Sequence, residues 1–404
     1  MDLEVHWAGS DERRIGRLYQ DPRGTVFFEY DADWRAGELE LSPLYLPNET
    51  IGAVSTPTPG FGELHGLFQD TLPDWWGERL MRRHFEERGI PWKKVTVLRK
   101  LACQGERKMG ALAFRPDVDG TDFNDGMVAE LGQLIDAARE AMRGESGEVL
   151  ADLLKSGMSP GGAQPKALLA ISEDFSEIRL DDPAPPGFGS WLVKFDVEPV
   201  LHEGRIEAAY AAMARAAGID VPETKLLEAG GGCHFLSRRF DRTKDGGRLH
   251  LHSFSGLTHT PLRDGVEYGD LMNLARVLTG DERSVEELFR RAVFNVAASN
   301  DDDHGRNHAF LMDGSGRWKV APAYDLTLAT YPLASGFRAG RIVGKAANVT
   351  RKDLRKLGEE QGVRKVEEKI DEVLAAIGDW PKFADEAGLP KGEAARVEGE
   401  LGIG

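Results

Sequence analysis

Residues 285–299 constrain the fold most. Val285, Leu288, Phe289, Ala292, Val293, Val296 and Ala297 follow the i, i+3, i+4, i+7 spacing of one helical face. A stripe that wide needs a partner surface, so this helix belongs in a core. Ser284 and Glu287 have the spacing of a capping box and are read as its start. The helix ends at Ser299 and delivers the polar run "NDDDHGRN", residues 300–307, at its mouth. The following "HAFLMDGSGRWKVAPAYDL" reads as a hairpin turning at Asp313 and Gly314. A hairpin brings its ends together, so Asp325 in "APAYDL" is expected to return to the same mouth.

The acidic run has a plain reading as a solvated loop. Its spacing supports a sharper one. Asp302 and Asn307 are five residues apart, the D-x-x-x-x-N separation of a kinase catalytic loop. There the aspartate orients and deprotonates the attacking hydroxyl, and the asparagine oxygen ligates Mg2+. Magnesium takes hard oxygen ligands and few protein groups beside phosphates, so Asn307 plus Asp325 would suffice.

Upstream, "SGMSPGGAQPKALLA", residues 156–170, places a glycine pair ahead of an apolar strand. Gly161 and Gly162 permit close backbone approach and present N–H donors, so "SPGGAQPK" can fold over phosphates. No G-K-[ST] follows, so it is not a Walker A loop; a simple turn is the alternative. Lys194 lies inside the apolar strand "WLVKFD". It is either an edge residue reaching water or the phosphate-pairing lysine that a kinase carries between its glycine loop and its acidic loop. Glu207 in the next helix could hold that lysine, or be an exposed first-turn glutamate.

The rest of the chain frames these motifs. "GTVFFEY" and "GALAFRP" read as strands and residues 75–89 as a helix. The turn-rich residues 116–126 read as a boundary, and residues 129–155 as two helices. "ALLAIS", "WLVKFD" and "HFLSRRF" are short strands, with a helix closed by Gly218 between the last two. From about residue 250 the chain reads as mostly helical, and its last ~55 residues as a charged, solvated outer layer.

A length of 404 residues suggests two or three domains. The net charge of −16 argues against an extended basic surface for nucleic acid. Two distant cysteines, Cys103 and Cys233, fit a reducing compartment and exclude a Cys-rich zinc site. The first residues lack the apolar core of a signal peptide, and no run of 18 apolar residues suggests a membrane span.

Taken together, the chain resembles the HipA-type toxin kinases of bacterial type II toxin–antitoxin systems. The resemblance lies in "SPGGAQPKALL", "WLVKFD", "AAGIDVPETKLL", "LSRRFDR", "NDDDHGRNHAFLM" and "WKVAPAYDL", in family order, and in the N-terminal "FEYDADW", "LFQDTLPDWWGERLM" and "MGALAFRP". It implies an α+β, two-lobed protein-kinase-like fold with an N-terminal mixed α/β subdomain (1–125), an N-lobe-like region (126–245) and a largely helical C-lobe (246–404). It implies an ATP- and Mg2+-dependent serine/threonine kinase. Asp302 would be catalytic, and Asn307 and Asp325 the metal ligands. ATP would be bound by Lys194, by Gly161, Gly162, Ala163, Gln164 and Lys166 of the loop, by Arg238 and Phe240 near adenine, and by His304 and Arg306. Ser159 falls where family members autophosphorylate, which ejects the loop and switches the kinase off.

The resemblance also implies a small helix-turn-helix, HipB-like antitoxin that supplies DNA binding, and a cytoplasmic, bacterial location with nucleoid association through that partner. The prototypes phosphorylate an aminoacyl-tRNA synthetase; no membrane is involved. Three departures stand out: Arg306 replaces a lysine, Pro160 follows Ser159, and Arg238 replaces an acidic residue. None removes a catalytic group. The competing readings are a kinase or nucleotidyl transferase acting on a small molecule or another protein, and a non-catalytic or weakly catalytic corepressor acting through its DNA-binding partner.

Overall fold

The computed structural model describes residues 1–9, 11–56, 58–116, 129–144, 153, 164–330 and 337–402. The chain opens with an antiparallel sheet of β1 (Asp2–Ala8), β2 (Glu12–Gln20), β3 (Val26–Tyr30) and β4 (Leu112–Arg115), in the order β3-β2-β1-β4. Alternation dictates its inner face: Leu3, Val5 and Trp7 of β1 are fully buried. The helix Val97–Gln104 covers that face with Leu98, Leu101 and Ala102. The helix Trp75–Glu87 instead turns outward. Its Trp76, Leu80, Met81 and Phe85 pack into the core of the next sheet.

That second sheet has β5 (Lys166–Ser172), β6 (Ile178–Arg179), β7 (Phe188–Lys194), β8 (Thr224–Ala229) and β9 (Gly232–Arg238), in the order β6-β5-β7-β9-β8. Every neighbouring pair is antiparallel. β7 is central, so Lys194 is not an edge lysine; it ends the middle strand. The helix Glu203–Ala216 then packs against β9.

The C-terminal half holds β10 (His250–Ser253), β11 (Val266–Glu267), β12 (Ala309–Met312), β13 (Trp318–Val320) and β14 (Gly340–Arg341). β12 and β13 form the expected hairpin, with Gly316 N donating to the Asp313 carbonyl in its turn. β10 adds a third strand that the sequence pattern did not suggest. The apolar-striped helix runs Glu282–Ala297, with Val285, Leu288, Phe289, Ala292 and Val293 buried.

Two expectations about this half are corrected. The stop-and-start signal at the long helix is Asp281, whose Oδ1 accepts from Arg283 N at 2.9 Å. Ser284 sits inside the first turn, and Glu287 pairs with Arg291 and accepts from Asp220 N, so the capping box does not form. The last residues are not merely an outer layer. Ile370 and Val373 of the helix Val366–Gly378, with Trp380 and Phe383 of the helix Trp380–Glu386, lie in the same core as the long helix. Trp380 meets Tyr210 edge-on at 5.5 Å between ring centroids. Most of their charge lies on the outer faces, although Lys369 is buried and donates to the Arg364 carbonyl.

The N-terminal part touches both halves. A Cβ on Gly66 would lie 1.8 Å from the Gly256 carbonyl oxygen, so this crossing requires glycine.

Candidate active site

The site lies where β7 ends above the loop that follows the long buried helix. Lys194 Nζ donates to Asp325 Oδ1 at 2.5 Å and to Glu207. Glu207 is buried in the second turn of its helix, not exposed in the first. Burial pulls the Lys194 ammonium down, but Asp325 and Glu207 outweigh it and raise it above the ordinary lysine value. Burial pushes the Glu207 carboxyl up to about 7 against the pull of Lys194. Burial also pushes Asp325 up, but Lys194 and Lys166 hold it below the ordinary value. Lys166 sits directly across from Lys194 in the β5–β7 pairing, and Gln164 Nε2 donates to Glu203 Oε2 at 3.1 Å nearby.

The run 300–307 divides its carboxylates. Asp302 faces the cleft, its side chain 45% exposed and 4.0 Å from His304 Nε2. Partial burial raises its carboxyl, His304 lowers it, and the Asp325 and Asp303 charges raise it further. Asn307 Nδ2 donates to the Asp302 carbonyl at 2.7 Å, which closes the loop and leaves the amide oxygen as its remaining acceptor. Asp303 turns the other way. It is fully buried and accepts from Arg338 and from Gly340 N at 2.6 Å each, and from the Tyr268 hydroxyl at 2.9 Å. Sequence reasoning passed over Asp303; its neighbour Asp302 carried the motif, and its partners lie 35 and 37 residues away.

An apolar cavity opens beside Lys194, lined by Leu192, Arg238, Phe240, Arg306, Tyr324 and Leu326 among others. The Arg238 guanidinium lies over the Trp191 ring at 5.3 Å, and Phe240 packs on Tyr324 at 5.6 Å between centroids. The Tyr324 hydroxyl donates to the Arg306 carbonyl, joining the hairpin's end to the loop. Asp70 of the N-terminal part also lines this cavity, another residue that sequence reasoning missed. It accepts from His252 Nδ1 at 2.6 Å and from Ser253 N and Oγ at 2.7 Å each.

Lys194, Glu207, Asp302, His304, Asn307, Asp325, Gln164 and Lys166 therefore surround one cleft, with Arg238, Phe240 and Arg306 on its apolar side. Ser159, Gly161, Gly162 and Ala163 lie outside the described residues. Among the described residues, no three His, Cys, Asp or Glu side chains are grouped to share a metal, and no helix is long and apolar enough to cross a membrane.

Residues 158–397 match the family model of the HipA-like C-terminal domain, and residues 3–115 that of the HipA N-terminal domain. The chain belongs to the HipA family. A provisionally named kinase of Sinorhizobium fredii, Y4mE, is 29% identical over 375 residues, covering 87% of this chain and 83% of that protein. The serine/threonine-protein kinase toxin HipA of Shewanella oneidensis is 25% identical over 356 residues, covering 81% of this chain and 75% of that protein. The solved complex of Shewanella oneidensis HipA, HipB and operator DNA contains a chain of the same fold. It matches with a TM-score of 0.70 at 20% identity, over 99% of this chain and 95% of that one. The architecture is thus the two-lobed α+β HipA fold.

Proposed function

We propose that this chain is an ATP- and Mg2+-dependent serine/threonine protein kinase and the toxin of a type II toxin–antitoxin pair. The observation that carries the reading is Lys194. It is a buried lysine at the end of a central strand, ion-paired to Asp325 and Glu207, beside a D-x-x-x-x-N loop whose Asp302 faces the same cleft.

The adenine would enter the apolar cavity against Phe240, Tyr324 and Arg238, with the phosphates toward Lys194 and Lys166. Asp302 would accept the proton of the substrate hydroxyl as that oxygen attacks the γ-phosphorus and the bond to ADP breaks. The raised carboxyl of Asp302 suits a base. The donor set suits Mg2+: Asp325 and the Asn307 amide oxygen are hard ligands, and the buried Asn300 Oδ1 on the same cleft has no partner among the described residues. A magnesium ion there would neutralise phosphate charge. Arg306 supplies the loop's cationic side, and His304 stands beside Asp302. Ser159 is the proposed site of inhibitory autophosphorylation. A HipB-like antitoxin is the proposed partner, contacting DNA on behalf of both, and a translation protein such as an aminoacyl-tRNA synthetase the proposed target.

Titration calorimetry tests the reading. ATP is expected to bind with magnesium and to bind more weakly once the metal is chelated. Equal affinity without any divalent ion would remove the roles given to Asn307 and Asp325, and no ATP binding at all would remove the kinase reading.

A further inference from the structure

We propose that Asp74, in the N-terminal part of the chain, is a positioning residue for phosphate binding: it holds Lys166 where its ammonium meets the nucleotide. The inference rests on the nucleotide reading above and adds a residue to it. Asp74 Oδ2 accepts from Lys166 Nζ at 2.6 Å, and both side chains are 4% exposed. Its other oxygen, Oδ1, accepts from Gly77 N at 2.7 Å and caps the helix Trp75–Glu87, so the carboxylate is fixed at both ends. Two residues on, Trp76 Nε1 donates to the Lys166 carbonyl at 3.0 Å. A single helix start therefore grips Lys166 by main chain and by side chain.

The grip answers a charge problem. Lys166 and Lys194 are direct cross-strand partners, an arrangement that like charges disfavour. Lys194 already occupies Glu207 and Asp325. Without Asp74, the Lys166 ammonium would be drawn toward those same carboxylates and would compete with Lys194 for them. With Asp74, the two ammonium groups stay apart, and both line the cleft that contains Asp302 and Asn307. An anion with several charged oxygens, such as a triphosphate, then meets two fixed cations.

Full-length Asp74→Asn tests this, because asparagine keeps the size and the helix cap while removing the charge. Two readouts are taken. Without nucleotide, acetic anhydride labelling mapped by peptide mass spectrometry reports the reactivity of Lys166. It is expected to rise severalfold in Asp74→Asn and to fall back in Asp74→Glu. With nucleotide, calorimetry compares ATP with adenosine. ATP is expected to bind about tenfold more weakly, the scale of one loosened charged contact, while adenosine affinity stays unchanged. Unchanged Lys166 labelling overturns the positioning role even if no nucleotide binds, an outcome that separately removes the kinase reading. Raised labelling with unchanged ATP affinity overturns the link to phosphate. If Asp74→Asn does not fold, Lys166→Met is compared in the same way. Equal ATP affinity in that variant and the wild type also overturns the proposal.

Discussion

Two buried ionic clusters lie within reach of the cleft, and they are built on opposite principles. In the first, Arg239 and Arg242 face Asp182 and Asp241, two cations against two anions. Arg239 bonds Asp241 at 2.9 and 3.0 Å and Asp182 at 3.2 Å, and Arg242 bonds Asp182 at 2.7 Å and Asp241 at 2.8 Å. Both guanidinium groups also donate to the Lys108 carbonyl, tying the N-terminal part to the segment that follows β9. Burial pushes both aspartates up, yet the arginines outweigh it and hold them below the ordinary value. In the second cluster, Lys166 and Lys194 face Asp74, Glu207 and Asp325, two cations against three anions. There burial wins at Asp74 and Glu207, and both carboxyls are raised. The balanced cluster uses planar, multiply bonded arginines and is closed. The unbalanced one uses lysines, opens on a cleft, and keeps pKa values displaced in different directions, as functional sites do.

The largest expected difference is in stability. Arg239→Ala leaves Asp241 buried with half its partners and is expected to lower the unfolding free energy by about 3–5 kcal/mol in urea titrations. Lys194→Met is expected to lower it by less than half as much, since Glu207 can take up a proton and Asp325 reaches cleft water. Equal losses would erase the distinction between the clusters.

A smaller effect appears with pH. In the folded protein Glu207 titrates at about 7, whereas its ordinary value is 4.5. Between these values the folded state holds the extra proton, so this group's contribution to stability falls as pH rises through that window. Asp182, lowered rather than raised, acts only below the ordinary 3.8. Burial pushes His250 down to about 3, and His259 and His308 down to about 4; these oppose the trend by losing stability as pH falls below 6.5. The informative quantity is therefore the difference between wild type and Glu207→Gln. The variant is expected to lose, on the order of 1 kcal/mol, the relative gain that the wild type makes between pH 8 and pH 5.5. Identical pH profiles would place the Glu207 proton elsewhere.

The smallest effect concerns the neighbouring arginines. Arg238 lies on the face of Trp191 rather than in the balanced cluster. Arg238→Ala is expected to cost about 1 kcal/mol or less of stability, in contrast to Arg239→Ala. A loss as large as that of Arg239→Ala would mean that the two residues share one structural role.

The division between clusters also marks what the sequence could tell. Lys194, Asp302, Asn307 and Asp325 were legible because a helix stripe, a fixed five-residue spacing and a hairpin are local patterns. Asp74, Asp70 and Asp303 were not. Asp74 meets Lys166 across 92 residues and Asp70 meets His252 across 182, and no periodicity reports such pairs. The charged C-terminal helices misled because composition speaks for their outer faces, while Ile370, Val373, Trp380 and Phe383 bind the inner ones to the core. The capping box misled because Asp281 offers a cap three residues before Ser284, and the earlier start won.

The measurement that bears most directly on the account is phosphate transfer from γ-labelled ATP by purified full-length wild type and Asp302→Asn, with magnesium, read as label on protein and as ADP formed. Wild type is expected to transfer phosphate. Asp302→Asn is expected to fall by about 10²–10⁴-fold while keeping its fold and most of its ATP affinity, because Asp302 acts on the hydroxyl and not on the nucleotide. Transfer by Asp302→Asn at the wild-type rate would contradict the site assigned here.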